Sequence, residues 1–143
     1  MESVTSDGVL RLKLAGNTFS FCGNLRRIPQ LDTSALTGLN YMFYFCSALP
    51  TIRLLDVSSA ATLTETFSNC CNLENVYIRG LKASCNCNNA YKWSKESLIY
   101  AINNEAATSP ITMTLASNVY NKYATDPDVV EALTNHPNIT LAK

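Results

Sequence analysis

Apolar positions in the first half of the chain fall into three segments that superpose without gaps at a spacing of 24 residues. Phe19, Phe43 and Phe67 share one column; Cys22, Cys46 and Cys70 the next; then Leu25, Leu49 and Leu73; then Ile28, Ile52 and Val76. Asp32 matches Asp56, Ser34 matches Ser58, and Leu39 matches Leu63. Within a unit the period changes. Leu39, Met42, Phe43 and Cys46 stand at i, i+3, i+4 and i+7, which predicts a short helix with one apolar face. After Leu49-Pro50 the period becomes two: Ile52 and Leu54 alternate with Thr51, Arg53 and Leu55, which predicts a strand. Val76 and Ile78 repeat that alternation against Asn75, Tyr77 and Arg79. A unit of this size cannot bury its own apolar face. Stacking successive units about 5 Å apart does so, with the strands forming a parallel sheet. The expected architecture is an α/β solenoid of about three coils.

Such an array exposes two apolar ends, and the flanking sequence supplies candidate caps. Val9, Leu10, Leu12 and Leu14 follow an Asp7-Gly8 turn signal and predict a strand over Val9–Leu14, with Leu10, Leu12 and Leu14 inward. Val4 lies 24 residues before Ile28, so a degenerate repeat is the alternative there. After the array, Ser94 is a helix N-cap, with Trp93 and Leu98 placed as a hydrophobic staple. Leu98, Ile99, Ile102 and Ala106 form one apolar helical face, with Asn103 and Asn104 on the solvent side. Ser109-Pro110 ends that helix, and Ile111, Met113 and Leu115 predict a strand. Ser117 opens a second helix carrying Val119, Tyr120 and Tyr123. Asp126-Pro127-Asp128 starts a third, with Val129, Val130 and Leu133 on its apolar side and Asn135-His136-Pro137 as its stop. Ile139 and Leu141 make a last strand. The organisation is therefore an N-terminal strand or cap (1–17), the repeats (18–84), a Cys/Asn-rich linker (85–93) and a helix-strand-helix-strand cap (94–143).

The phrase Met42-Phe43-x-x-Cys46-x-x-Leu49, with the Leu-Asp-x-Ser turns at Leu31–Ser34 and Leu55–Ser58, resembles the BspA-like leucine-rich repeat family. The likeness covers about Thr18 to Leu81. The third unit departs from it, since Gly80-Leu81-Lys82 replaces the Asp-x-Ser turn and suggests that the array ends there. The resemblance implies a leucine-rich-repeat solenoid in a bacterial cell-surface or secreted protein, or a part of a phage or prophage tail or fibre. The segment from Ser94 to Lys143 is similar, more loosely, to modules that follow such repeats.

Composition narrows the chemistry. In 143 residues, 11 Lys+Arg balance 11 Asp+Glu, which argues against a nucleic-acid or membrane-surface binder. No apolar run approaches the ~18–20 residues of a membrane span. Met1 to Leu14 lacks the basic start and apolar stretch of a signal peptide. His136 is the single histidine, so acid–base, thiol and metal catalysis are poorly supplied and no enzyme or cofactor is expected. Cys22, Cys46 and Cys70 are expected as buried free thiols, with Cys71 outward. A zinc site is disfavoured by the Cys85-x-Cys87 spacing; Cys71, Cys85 and Cys87 are expected as unpaired loop thiols, with a disulfide left open only among them. Asp32 and Asp56 suit Asx-turns rather than catalysis. Asn138-Ile139-Thr140 is a glycosylation triplet of no weight in a bacterial protein.

What remains is a surface. The residues alternating with the core columns form the sheet's open face: Arg27, Thr51 and Asn75; Pro29, Arg53 and Tyr77; Leu31, Leu55 and Arg79. Arg27, Arg53, Tyr77 and Arg79 are the candidate ligand-binding residues, since Arg and Tyr combine contact area with hydrogen bonding. The expected function is a non-catalytic interaction module that presents this face to a protein or glycan. Three strands are few against the ~800 Å² per partner of a standard interface, so more repeats or self-association would strengthen binding.

Overall fold

In the computed structural model, which describes residues 3–4, 8–13 and 16–143, the phenylalanine column is a stack of rings. Phe19 and Phe43 lie 7° from parallel with centroids 5.5 Å apart, and Phe43 and Phe67 lie 9° from parallel at 6.1 Å. Cys46, Cys70, Leu49, Leu73, Ile52 and Val76 are buried beside them. The first layer is less covered: Phe19, Cys22, Leu25 and Ile28 are half-buried against the core. The protein is a mixed α/β structure of short, mostly parallel strands with three helices and no closed barrel among the described residues. Strands β1 (Ser3–Val4), β2 (Val9–Arg11) and β3 (Gln30–Asp32) form one sheet, with β1 antiparallel to β2 and β2 parallel to β3. Strands β4 (Thr51–Asp56) and β5 (Asn75–Arg79) pair in parallel. The Gln30 side-chain amide joins the two sheets, donating to the Leu54 carbonyl at 2.9 Å.

The helix expected between Leu39 and Cys46 is instead a run of turns. Its amides do not bond four residues back. Leu39, Tyr41, Phe43 and Phe45 donate across to the carbonyls of Thr62, Thr64, Thr66 and Ser68, one unit on. Asn17, Phe19 and Phe21 donate likewise to Asn40, Met42 and Tyr44. Left-handed residues recur at 17, 41 and 65 and again at 21, 45 and 69, which is incompatible with an α-helix yet keeps the same residues inward. The apolar spacing was that of a helix because both conformations return the chain to one face about every three to four residues.

A second correction lies in β4. Ile52 pairs with Val76, but Leu54 pairs with Tyr77 and Leu55 with Ile78, so a bulge at Arg53 shortens the offset from 24 to 23. An extra residue reverses the facing of everything after it. Leu55 is therefore buried, as is Leu31, and neither belongs to the open face. Arg53 and Tyr77 are not a cross-strand pair.

At the front, Leu12 is buried and Leu10 packs on the core, while Leu14 lies outside the described residues. Val4 pairs antiparallel with Leu10 and so does not occupy the Ile28 column.

Beyond β5, residues 85–93 are not a linker but a fourth, shortened layer. Strand β6 (Cys85–Cys87) bridges Leu63 at Cys85, and Asn69 donates to the Asn88 carbonyl at 2.8 Å. The offset has dropped to about 20, so Cys87 follows the phenylalanine column, Ala90 the cysteine column and Trp93 the leucine column. Trp93 packs edge-on to Phe67 at 5.4 Å, a large ring compensating for the small Cys87. Helix α1 (Lys95–Asn103) then replaces the next strand beside β5. Ser94 caps it as expected, accepting from the Ser97 amide at 3.2 Å. Strand β7 (Ile111–Leu115), α2 (Ser117–Tyr123), α3 (Pro127–Asn135) and β8 (Ile139–Ala142) complete the chain, with β6, β7 and β8 in one parallel sheet. Cys85, Met113 and Leu141 align at a 28-residue offset, so a new period takes over from the 24-residue one. Asp126 caps α3 through the Asp128 amide at 3.1 Å. Val130 and Ala106 face solvent, and Ala132 takes the buried place expected of Val130.

Candidate functional site

The four residues singled out on the sheet do not form one free patch. Arg27 and Arg53 are exposed, Arg53 at the bulge and Arg27 before β3 begins. Tyr77 is half-buried, its ring edge-on to Tyr100 of α1 at 5.2 Å. Arg79 is bound by Asp56: its Nη2 lies 2.6 Å and its Nε 3.2 Å from one carboxylate oxygen. The other oxygen of Asp56 accepts from the amide and hydroxyl of Ser58, and Asp32 repeats the arrangement with Ser34. These are the two Asx-turns. Ser34 holds the Asp32 carboxyl below the ordinary carboxylate range. Burial works to raise that of Asp56, but the Ser58 hydrogen bonds and Arg79 outweigh it and leave it lowered. Arg11 pairs with Asp32 at 3.5 Å, so Arg11, Asp32, Asp56 and Arg79 line an open cleft of about 320 Å³ along the sheet ends. Each carboxylate there already has a cation and an Asx-turn, a structural assignment for both.

The cysteines are free. The Cys46 thiol donates to the Phe19 carbonyl and the Cys70 thiol to the Phe43 carbonyl, each at 3.0 Å. Burial pushes Cys46 up to about 11 and Cys70 up to about 12. A nucleophilic thiol needs the opposite shift. Cys71 is half-buried, its thiol 3.6 Å from the Asn69 carbonyl. Cys85 and Cys87 are buried on the same side of β6, with sulfurs 3.6 Å apart, rather than being loop thiols. Among the described residues no group of three or more His, Cys, Asp or Glu side chains could hold a metal ion. His136 sits in the C-terminal part, its Nδ1 3.3 Å from Glu105.

A different cluster went unrecognised in the sequence. Phe21, Tyr41, Tyr44 and Phe45 gather on the outer side of the first two turn segments. Phe21 stacks on Phe45 at 5.4 Å and 12°, and Tyr44 stands edge-on to Phe21, Tyr41 and Phe45 at 4.8 to 5.4 Å. Phe21 is 72% exposed, Phe45 41% and Tyr41 38%. The available signal was an excess of aromatic residues: Tyr41, Tyr44 and Phe45 occupy the positions left over once Leu39, Met42, Phe43 and Cys46 have been turned inward. A second cleft, about 310 Å³, lies between the fourth layer and α2, lined by Tyr91, Trp93, Tyr123, Lys92, Lys122 and Glu74 among others.

Comparison with protein-family models, with curated proteins and with solved structures finds no match to this chain.

Proposed function

We propose that the chain is a short leucine-rich-repeat solenoid with an α/β C-terminal cap, acting as a non-catalytic interaction module that presents a rigid face to a protein or glycan. The observation that carries this reading is the vertical register of Phe19, Phe43 and Phe67, which fixes the spacing of everything displayed around the stack. Rigid display lowers the ordering cost of binding. The raised thiols of Cys46 and Cys70, and the pairing of the lone histidine with Glu105, favour a structural over a catalytic role for the groups best suited to chemistry. On the sheet side, Arg27 and Arg53 are the cations open to a partner; Arg79 is engaged by Asp56. The resemblance of Met42-Phe43-x-x-Cys46-x-x-Leu49 to BspA-like repeats supports a cell-surface or secreted setting.

The test is binding to protein and glycan arrays by the intact chain and by the double variant Arg27→Ala/Arg53→Ala. Loss of a signal with an unchanged melting temperature supports recognition through the sheet side. A signal indifferent to both changes rejects that side as the recognition face.

A further inference from the structure

We infer that the aromatic cluster of exposed Phe21, Tyr41 and Phe45 around half-buried Tyr44 is a binding platform for a neutral glycan built of equatorially substituted pyranoses. The inference deepens the interaction-module reading and rests on it, but places the ligand on the turn side rather than the sheet side.

Backbone conformation does not account for the rings. Phe21 (φ 61°), Tyr41 (φ 57°) and Phe45 (φ 59°) sit in the left-handed region, which bulky residues rarely adopt. The same columns hold Asn17, Asn69 and Glu65, and Asn is the residue that this conformation favours. Core packing does not account for them either, because the inward places belong to Phe19, Met42, Phe43 and Cys46. Aromatic rings held outward on a strained backbone are a feature that folding alone does not require.

The stretches that carry the rings are uncharged, and the carboxylate one layer on in the Tyr41 column, Glu65, is engaged by the Asn86 side-chain amide at 2.7 Å. No Asp, Glu, Lys, Arg or His occurs from residue 16 to 25 or from 33 to 52, the two stretches that build the cluster. Their polar groups are amides and hydroxyls, among them Asn17, Asn24, Asn40 and Ser47. Such a surface matches an uncharged ligand and gives nothing to an ionic one. The size of the patch selects further. At their observed exposures Phe21, Tyr41 and Phe45 offer roughly 300 Å², taking about 150–250 Å² for a whole aromatic side chain. That falls well short of the ~800 Å² per partner of a stable protein interface, which disfavours a second copy of the chain. It suits a few sugar rings. A pyranose whose hydroxyls are all equatorial presents a flat face of axial C–H groups, which stacks on the negative face of an aromatic ring, while its hydroxyls reach neighbouring amides. The rings rise from layer to layer with the stack, Phe21 over Phe45 at 5.4 Å, so the platform is stiff.

The experiment is titration of the whole chain with cellohexaose, xylohexaose and chitohexaose, followed by tyrosine fluorescence and calorimetry, with a sialylated oligosaccharide as the charged control. Saturable binding of at least one neutral probe is expected, weakened about tenfold or more by Phe21→Ala or Tyr44→Ala, as loss of an aromatic anchor does. Phe21→Tyr should retain it. Circular dichroism and melting temperature confirm that the variants fold. No binding of any neutral probe, or equal binding by Phe21→Ala, overturns the inference. So does concentration-dependent dimerisation that Phe21→Ala abolishes, since a second copy would then be the occupant. If the arrays give a signal that Arg27→Ala/Arg53→Ala removes while no neutral probe binds, the interaction-module reading stands and only the platform falls.

Discussion

The thiol of Cys70 donates to the carbonyl of Phe43, and the thiol of Cys46 makes the same bond to Phe19 one layer below. The cysteine column thus fastens each layer to its predecessor at a backbone oxygen that also accepts from an amide of its own turn, Cys46 N–H for Phe43 and Cys22 N–H for Phe19. Because burial raises the pKa of these thiols in the folded state, the unfolded chain loses its thiol protons at lower pH than the native one. Stability from this source is complete below the ordinary thiol value of 9.0 and declines as pH rises toward about 11 for Cys46 and about 12 for Cys70. Denaturant midpoints should fall across that window. The double variant Cys46→Ala/Cys70→Ala should show a shallower decline; an equal slope would place the pH dependence elsewhere. Under native conditions a thiol reagent should modify Cys22 and Cys71, which are half-exposed, well before Cys46, Cys70, Cys85 or Cys87.

Phe43 lies between Phe19 and Phe67 and is fully buried. Phe43→Ala should cost about 3–5 kcal/mol in unfolding experiments, the range for a buried phenylalanine truncated in a packed core. Phe19→Ala should cost less, because its outer face is only partly covered. Equal losses at the two positions would mean that the first layer is as well packed as the second.

The repeat columns were legible because burial repeats strictly: the same side-chain types return at 24 residues and stack. The strand register was not. The bulge at Arg53 inserts one residue without altering composition, so counting by 24 put Leu55 outside and set Arg53 opposite Tyr77. The fourth layer was hidden for a related reason. Its offset shortens and its core residues change identity, Cys87 for phenylalanine and Trp93 for leucine, so no identical column signals it. The helix caps at Ser94 and Asp126 were readable because capping is local, needing only the side chain and the amides just after it. The aromatic cluster was missed because the same alternation that marks Phe43 as core says nothing about why Tyr44 and Phe45 are aromatic.

Gly80 explains why the third unit abandons the Asp-x-Ser turn. It adopts φ +79°, and a Cβ there would meet the Ser58 Cβ at 2.6 Å and its Cα at 2.7 Å. Its amide donates to the Asn104 carbonyl at 2.7 Å, tying the end of β5 to the cap of α1. Gly80→Ala carries both the left-handed penalty and a clash against backbone, so it should destabilise by more than the ~1 kcal/mol of an unfavourable φ alone. Gly8, also at positive φ (+77°) but with nothing within 4 Å, separates the two costs. Gly8→Ala should show only the conformational part, and equal losses at the two sites would remove the clash from the account.

The Asp56–Arg79 pair is half-exposed, so its contribution is screened. Arg79→Ala should therefore change stability only slightly. Asp56→Ala should cost more, because it also removes the two hydrogen bonds that close the turn at Ser58. The depressed Asp56 and Asp32 carboxyls add stability that is present above the unfolded carboxyl pKa and is lost as pH falls through their lowered folded values. Acid titration of the folded chain should therefore begin to weaken it below about pH 4, and Asp56→Asn should reduce that sensitivity.

Ser97 does for β5 what a further strand would have done. Its buried hydroxyl accepts from the Val76 amide at 2.9 Å, an acceptor supplied by α1 to the strand edge, and shares hydrogen bonds with Ser94 and the Glu74 carbonyl. Helix α1 thus ends the β4–β5 pairing by satisfying a backbone donor and covering an edge that would otherwise invite association. Ser97→Ala leaves the Val76 amide buried without that acceptor and should cost about 1–3 kcal/mol, the penalty for an unsatisfied buried polar group. Hydrogen exchange gives the sharper reading. The Val76 amide should lose protection in Ser97→Ala well beyond any change at Ile78. Uniform loss across β5 would instead indicate that the whole helix had come away and that Ser97 acts only through packing.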